Sequence, residues 1–401
     1  MKPLLISGFG TSISVDRRRL NVVNKADNVN LSFQPHQIPY DSVIIDGHYG
    51  TISFEAVRWL MKHNIPIITL NWNGNLLSTT LPKEPVSGKL KIRQYQTYLD
   101  QLERYKIAET TIKTKINKSL ELLIMLSKHY SCIKGEEIRI VFEREQKTYE
   151  KTSERSIKNL MTYEGRTADF YWDCLSRVFN QLYPEFGFTT RNNVLNSHNR
   201  NASDQINALL NYGYSILEAE AIKAINSIGF DSSIGFLHEL SDGRMSLIYD
   251  VQELYRWLVD LSVIQLLEEK KLKKSDFITT ENYHIRLRES AATYLLAKIT
   301  FNLNKTSAYK GKNHSYECIL LDNVRTLANN VIGKTKTLKF EIPSIENERN
   351  DPVELRDKIM SITPEERKRL GINKSTLWYQ KRNIKRGKRI KIYNKLKLKM
   401  A

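Results

Sequence analysis

The chain has 401 residues, with 62 Lys and Arg against 44 Asp and Glu, a formal charge of +18. Its hydrophobic content of 41% is enough to build cores and excludes a disordered chain, while no run approaches the ~20 apolar residues that span a bilayer. The charge is uneven: residues 367–401 hold 14 Lys and Arg and no acid, leaving 48 basic and 44 acidic side chains before them, so the polyanion partner that such a balance predicts, nucleic acid foremost, belongs first to the tail.

The N-terminus, Met1 to Ile13, has one Lys and an early Gly-Phe-Gly and reads as strand and turn rather than a signal peptide. Residues 1–85 are strand-rich, with β-branched runs such as Ile13-Ser14-Val15 and Val43-Ile44-Ile45 between Gly, Asn and Pro punctuation. One helix interrupts them, with Ser53 as N-cap, Glu55 in the first turn and Ala56, Val57, Leu60 and Met61 as its apolar face. Pro66 stops it, Ile65–Leu70 reads as a buried strand, and Asn71 to Asn75 is a turn with Asn73-Gly74 at its tip for positive φ. Pro82 to Gly88 is a linker. From Lys89 the period changes to 3.6, predicting helices over Ile92–Lys128, Ser153–Leu182, Ala202–Ile228, Tyr249–Glu269 and Tyr283–Leu303. Glu341–Asp351 is a second linker, and the last 50 residues form a small separate module.

Two acids stand out in the helical region. His238 ends Gly235-Phe236-Leu237-His238, and Asp250 follows in Ser246-Leu247-Ile248-Tyr249-Asp250-Val251-Gln252-Glu253. Asp250 and Glu253 are three apart on one mainly apolar helix, and burying both demands neutralisation. A divalent cation does that, and an oxygen-rich site with a histidine suits Mg²⁺ or Mn²⁺. The spacing equally admits an ion pair between Glu253 and Arg256, with His238 as an ordinary capping residue. His48 and His63 read as structural, Cys174 and Cys318 as small buried residues, and Tyr212, Tyr214 and Trp257 as core. Three cysteines without a C-x-x-C pair argue against a disulfide framework or a cysteine zinc site.

The chain resembles the CRISPR-associated integrase family over residues 1–335. The resemblance is carried by Gly47-His48-Tyr49-Gly50, Glu55 to Leu60, His63-Asn64-Ile65-Pro66-Ile67, Leu70 to Leu77, Asn207 to Leu217, Gly229-Phe230-Asp231, Ile234 to His238 and Ser246 to Asp250. It implies a β-rich N-terminal domain that dimerises and an α-helical catalytic domain with a divalent-metal site. The family's Glu falls on Glu164, which precedes Tyr171-Trp172, its His on His238 and its Asp on Asp250. Glu253 is either a further catalytic acid or the partner of Arg256.

The tail carries helix signals of its own. Asp351-Pro352 starts a helix through Ile359. Thr363-Pro364-Glu365-Glu366 starts a second, with N-cap, Pro and acids at the positive end. That helix ends at Leu370-Gly371, and residues 374–382 make a third. Two helices, a tight turn with Gly and a polar, basic helix match the helix-turn-helix pattern. Leu370, Ile372, Leu377 and Trp378 are expected in its core, and Lys374, Ser375, Thr376, Gln380 and Lys381 in the major groove. Arg382, Lys385 and Arg386 onward follow phosphates.

An integrase with such a module resembles the casposases, transposon-encoded relatives of the CRISPR integrase that integrate the ends of their own mobile element without a small partner subunit. The expected fold is α+β: a β-rich N-terminal dimerisation domain (1–85), an all-α metal-dependent catalytic domain (89–340) and a helix-turn-helix DNA-binding domain with a basic tail (351–401). The expected activity joins 3′-OH ends to target DNA with Mg²⁺ or Mn²⁺, with endonuclease activity alongside. Terminal inverted repeats and target duplex are the expected partners, and the protein is expected to be a homodimer or a higher oligomer on DNA. It is expected in the cytoplasm, at the nucleoid when bound, with no membrane contact. A CRISPR spacer integrase with a small partner subunit and a non-catalytic DNA-binding regulator are the alternatives.

Overall fold

A computed structural model describes the chain except residues 8, 25–27, 48, 84, 86, 153, 192–201, 281–283, 346–358, 370 and 386–401. His48 and most of the helix expected after Asp351 therefore lie outside the described residues, as do Leu370 and Arg386. Two compact units are present, residues 1–344 and 345–401.

The first unit begins with two four-stranded sheets. Strands β1 (Pro3–Ile6), β5 (Ser42–Ile45), β7 (Ile67–Leu70) and β8 (Leu76–Thr80) form one, in the order β1-β5-β7-β8, parallel except for β8. Strands β2 (Phe9–Asp16), β3 (Arg19–Asn24), β4 (Val29–Phe33) and β6 (Tyr49–Ile52) form the other, in the order β4-β3-β2-β6. Helix α1 (Phe54–Lys62) packs Ala56, Trp59 and Leu60 into a core with Leu4, Ile13, Leu20, Val43 and Ile67. Its cap forms as its residues predict: Ser53 Oγ accepts from Ala56 N at 3.1 Å. Gly74 has φ +79° at the tip of the β7–β8 turn, and a Cβ there would lie 2.9 Å from Tyr212 Cδ2.

Nine helices follow among the described residues of this unit: α2 (Gly88–Leu99), α3 (Gln101–Ser127), α4 (Gly135–Glu150), α5 (Ile157–Leu182), α6 (Gln205–Ile228), α7 (Ser246–Glu253), α8 (Arg256–Glu268), α9 (Glu289–Asn304) and α10 (Tyr316–Val331). Helix α6 is apolar nearly all round and is buried between α7, α8, α9 and α10, as such a helix must be. The region is not purely helical. Residues Ile285–Leu287, expected in a helix from Tyr283, pair antiparallel with Phe277–Thr279 instead, and α9 starts only at Glu289. The alternation Ile285-Arg286-Leu287 suits a strand once a partner strand is beside it. A second hairpin pairs Thr306–Tyr309 with Lys312–Ser315. The helix expected over Tyr249–Glu269 is two, α7 and α8, broken at Leu254-Tyr255. Tyr212, Tyr214 and Trp257 are core residues and Cys174 is buried, but Cys318 is exposed in the first turn of α10. Among the described residues no helix is long and apolar enough to cross a membrane.

In the second unit, α11 (Pro364–Arg369) and α12 (Lys374–Lys385) are joined by a turn in which Gly371 has φ +60°. Thr363 Oγ1 accepts from Glu366 N at 3.2 Å and Glu366 Oε2 accepts from Thr363 N at 3.0 Å, a reciprocal cap. Ile359, Ile362, Ile372 and Leu377 are buried.

Candidate active site

The site is organised by the loop before α7. Gln94 of α2 donates to the carbonyls of Asp231 and Ile234 at 2.8 and 2.7 Å, and Arg104 of α3 donates to that of Phe236 at 2.9 Å. From the other side, Asp250 is 4% exposed and gathers the loop around its carboxylate. Oδ2 accepts from Phe236 N at 2.5 Å and Leu237 N at 2.9 Å, and Oδ1 accepts from His238 N at 3.1 Å. A Cβ on Gly235 would stand 2.8 Å from the Ser246 carbonyl carbon and 2.9 Å from Asp250 Oδ2, so the approach requires glycine. His238 Nδ1 lies 2.7 Å from Asp250 Oδ1. With Nδ1–H donating there, Nε2 carries the ring's lone pair.

Glu253, one turn on, faces another way. Its Oε2 lies 2.6 Å from Lys115 Nζ and its Oε1 3.1 Å from Arg256 Nη1. The same Lys115 ammonium is 2.5 Å from Glu164 Oε1 on α5. Burial opposes ionisation of Glu253, but the Lys115 and Arg256 cations outweigh it and hold the carboxyl at about 2. Burial also works against the Lys115 charge, and Glu253 and Glu164 overcome it, so its pKa is raised. Glu164, His238, Glu253 and Lys115 all line one cavity of about 820 Å³.

The cavity's other wall is a second network. Asp260 of α8 accepts from Tyr171 Oη at 2.6 Å and from Tyr214 Oη at 2.5 Å. Its burial raises its pKa against these hydrogen bonds and against Arg256 and Arg191. The Arg256 guanidinium lies 4.2 Å from the Tyr214 ring centroid, and Arg191 lies 5.3 Å from the same ring and 5.7 Å from that of Trp172.

Glu164 and His238 thus meet in the cavity as expected from sequence, but Asp250 is turned away from it and does not line it. Glu253 takes the cavity position and also pairs with Arg256. Among the described residues no three His, Cys, Asp or Glu side chains stand close enough to hold a metal ion together. The donor set nevertheless has cation-binding chemistry: two carboxylates already share one cation, the Lys115 ammonium, beside an imidazole whose other nitrogen is tied to a carboxylate. Sequence reading missed Lys115, Arg191, Gln94 and Asp260. Only Asp260 had a local signal, an acid inside the apolar run Leu258–Leu267.

On α12, Lys374, Ser375 and Arg382 are exposed as expected and Thr376 is partly so. Gln380, expected in a groove, is 3% exposed, and Lys381 Nζ donates to the Ile362 carbonyl at 2.9 Å. Trp378, expected in the core, is 59% exposed and Tyr379 51%, with the Arg382 guanidinium 5.1 Å from the Trp378 ring. Lys385 closes the helix.

Comparison with known proteins agrees with this architecture. The family described as CRISPR associated protein Cas1 matches residues 4–300. A CRISPR-associated endonuclease Cas1 of Archaeoglobus fulgidus is 30% identical over 335 residues, covering 80% of this chain and 94% of that protein. One from Francisella tularensis subsp. novicida is 26% identical, covering 83% and 97%. Among solved structures, a casposase bound to integration product superposes with TM-score 0.78 at 35% identity, covering 90% of this chain and 99% of that one. A Cas1 protein from Thermotoga maritima, 18% identical, shares the fold with TM-score 0.69 over 85% of this chain and all of that one. The chain belongs to the Cas1 family, and with it to the DNA-acting integrases and endonucleases.

Proposed function

We propose that the protein is a casposase-type integrase, which joins the 3′-OH ends of a mobile element to target DNA by metal-dependent transesterification and cuts DNA when water replaces the 3′-OH. The observation that carries this reading is the meeting of Glu164, His238 and Glu253 in one cavity. In this reading these three would hold the divalent cation once it displaces the Lys115 ammonium that Glu164 and Glu253 share. Asp250 is the positioning residue, because its carboxylate is already engaged by three backbone N–H groups and His238. Two carboxylates and an imidazole suit Mg²⁺ or Mn²⁺, with the nitrogen ligand favouring Mn²⁺.

A bound cation would supply Lewis-acid polarisation of the phosphodiester and a lower pKa for the attacking hydroxyl. The chain's own residues do the rest. Asp250 fixes the ring orientation and tautomer of His238. Lys115 and Arg256 bring positive charge to the place where negative charge grows on the transferring phosphoryl group. The cavity leaves room for a 3′-hydroxyl or a water as nucleophile, which accounts for joining and cutting at one site.

The choice of a transposon role is supported by the 35% identity to the casposase over 90% of this chain and by the basic C-terminal unit. We read α11 and α12 as a helix-turn-helix that recognises the element's terminal repeats. A second copy of the chain is the expected partner, since joining two ends to one target needs two active sites. Phe9, Tyr49 and Phe54, which are 69%, 73% and 84% exposed on and beside edge strand β6, offer an apolar surface for it. In this role the protein works in the cytoplasm at the nucleoid.

The names of the curated relatives favour a second reading, insertion of spacers at a CRISPR array with a small partner subunit. Incubating the purified chain alone with Mn²⁺, plasmid and a labelled oligonucleotide bearing the element's own end separates the two. Joined product without any added protein supports the casposase reading; joining that appears only with a partner subunit overturns it.

A further inference from the structure

Arg191 lines the same cavity, outside the cluster proposed to hold the cation. It is partly buried, and among the described residues it forms no ion pair; its Nη1 donates to Asn207 Oδ1 at 2.6 Å. Its fork carries five N–H donors. The guanidinium lies over the rings of Trp172 and Tyr214, 5.7 and 5.3 Å from their centroids, and Tyr214 has Arg256 against it at 4.2 Å. Trp172, Arg191, Tyr214 and Arg256 therefore form a wall of alternating rings and guanidinium groups, with Tyr214 behind the three that line the cavity, ending at the Arg256–Glu253 pair. Asp260 accepts from the Tyr214 hydroxyl and keeps that ring in place. Asp260 is thus committed to two tyrosines and Asp204 to Asn207, and Arg191 lines the cavity as a cation that has no ion pair among the described residues.

We propose that Arg191 binds the non-bridging oxygens of a DNA backbone phosphate next to the reacting one, and so fixes the strand's register in the active site. A guanidinium fork matches a phosphate bidentately, and its contacts with two rings and Asn207 pre-orient it. The inference rests on the integrase reading above and adds to it the residue that grips the substrate strand. Arg191 is on this account a substrate-positioning residue, not a ligand of the cation.

The test is a methylphosphonate scan. A single neutral methylphosphonate is placed in turn at each backbone position flanking the reacting phosphate. At one position, wild-type joining falls by about ten- to a hundredfold, the worth of one charge-assisted contact. Arg191→Ala falls by a similar factor on unmodified DNA, and the same methylphosphonate then adds less than about twofold, because the contact is already gone. Arg191→Lys keeps the charge but not the fork and lies between them. It is measured alongside in case the alanine variant is too poorly folded. The scan is repeated as DNA binding in EDTA, where no chemistry occurs. There wild type loses affinity at that position, and Arg191→Ala and Arg191→Lys lose less. A wild-type protein that binds in this pattern but joins nothing contradicts the integrase reading and leaves Arg191's contact standing. Full methylphosphonate sensitivity at every position in both Arg191 variants overturns the contact itself.

Discussion

Replacing Lys115 with Met removes the ammonium that Glu164 and Glu253 share while keeping a stem of similar length. The ammonium stands 2.5 Å from one carboxylate and 2.6 Å from the other, so the two bonded oxygens are at most about 5 Å apart. With an effective dielectric near 20, two like charges at that separation repel by roughly 3 kcal/mol. Removing one member of a buried charge cluster costs about 3–5 kcal/mol by mutational precedent, the same range. Arg256 still holds Glu253, so the lower end is expected. In EDTA at neutral pH, Lys115→Met should unfold in urea with about 3 kcal/mol less stability than wild type. Millimolar Mn²⁺ should restore most of that loss, because a cation then binds two carboxylates without first displacing an ammonium. Calorimetric titration should accordingly show Mn²⁺ binding at least tenfold tighter to the variant. Equal stability of variant and wild type in EDTA, with equal stabilisation of both by Mn²⁺, would refute the shared-cation geometry.

Other consequences are independent. Asp250→Asn puts an amide in a pocket of donors, and should lose about 2–4 kcal/mol of stability and weaken Mn²⁺ binding about 10–100-fold through His238. Glu253→Gln leaves Lys115 and Arg256 short of a carboxylate and should lose a similar amount, about 3 kcal/mol, but should weaken Mn²⁺ binding more than Asp250→Asn does; tighter Mn²⁺ binding by Glu253→Gln than by Asp250→Asn would reverse their roles. Burial pushes the Asp46 carboxyl up to about 6, against the hydrogen bond donated by Tyr212 Oη at 3.3 Å. A raised carboxylate pKa means that stability is greatest below the unfolded-state value near 4 and is lost as pH rises through 6. Asp46→Asn should therefore match wild type near pH 4 and gain on the order of 2–3 kcal/mol above pH 6; a constant difference across that range would show the carboxyl to be solvated. Truncation after Asn350 should reduce preference for the element's ends and flatten the salt dependence of binding, while leaving joining to unselected ends. Unchanged end preference would remove the C-terminal unit from recognition.

Much of the fold was legible wherever the signal is local. Ser53, Thr363 and Asn73-Gly74 announce caps and a turn because the atoms they satisfy lie within three residues. His238 and Asp250 were legible as a pair because a family pattern keeps them together, but which acid faces the cavity was not. Asp250 is claimed by backbone N–H groups of a loop 12 to 14 residues upstream, and Glu253 by a lysine on α3. Lys115 and Arg191 carry no local sign of a role, since their partners come from α5, α6 and α7. In α12, Leu377 and Trp378 are neighbours about 100° apart, and only Leu377 points inward. Leu377 faces in with Ile372, while Trp378 goes out with Ser375, Tyr379 and Arg382, and Gln380 turns inward. Residues 285–287 read as helix until the strand at 277–279 is placed beside them.

In the proposed reaction Glu164, His238 and Glu253 act together on DNA from one cavity. Mn²⁺-dependent joining of a labelled 3′-OH end to plasmid, by wild type and by Glu164→Ala, His238→Ala and Glu253→Ala in turn, measures this directly. The predicted result is joined product from wild type alone, with DNA affinity in EDTA unchanged within about twofold across all four proteins, since none of the three substitutions removes a cationic side chain. Joined product at the wild-type rate from any one of the three variants would contradict it.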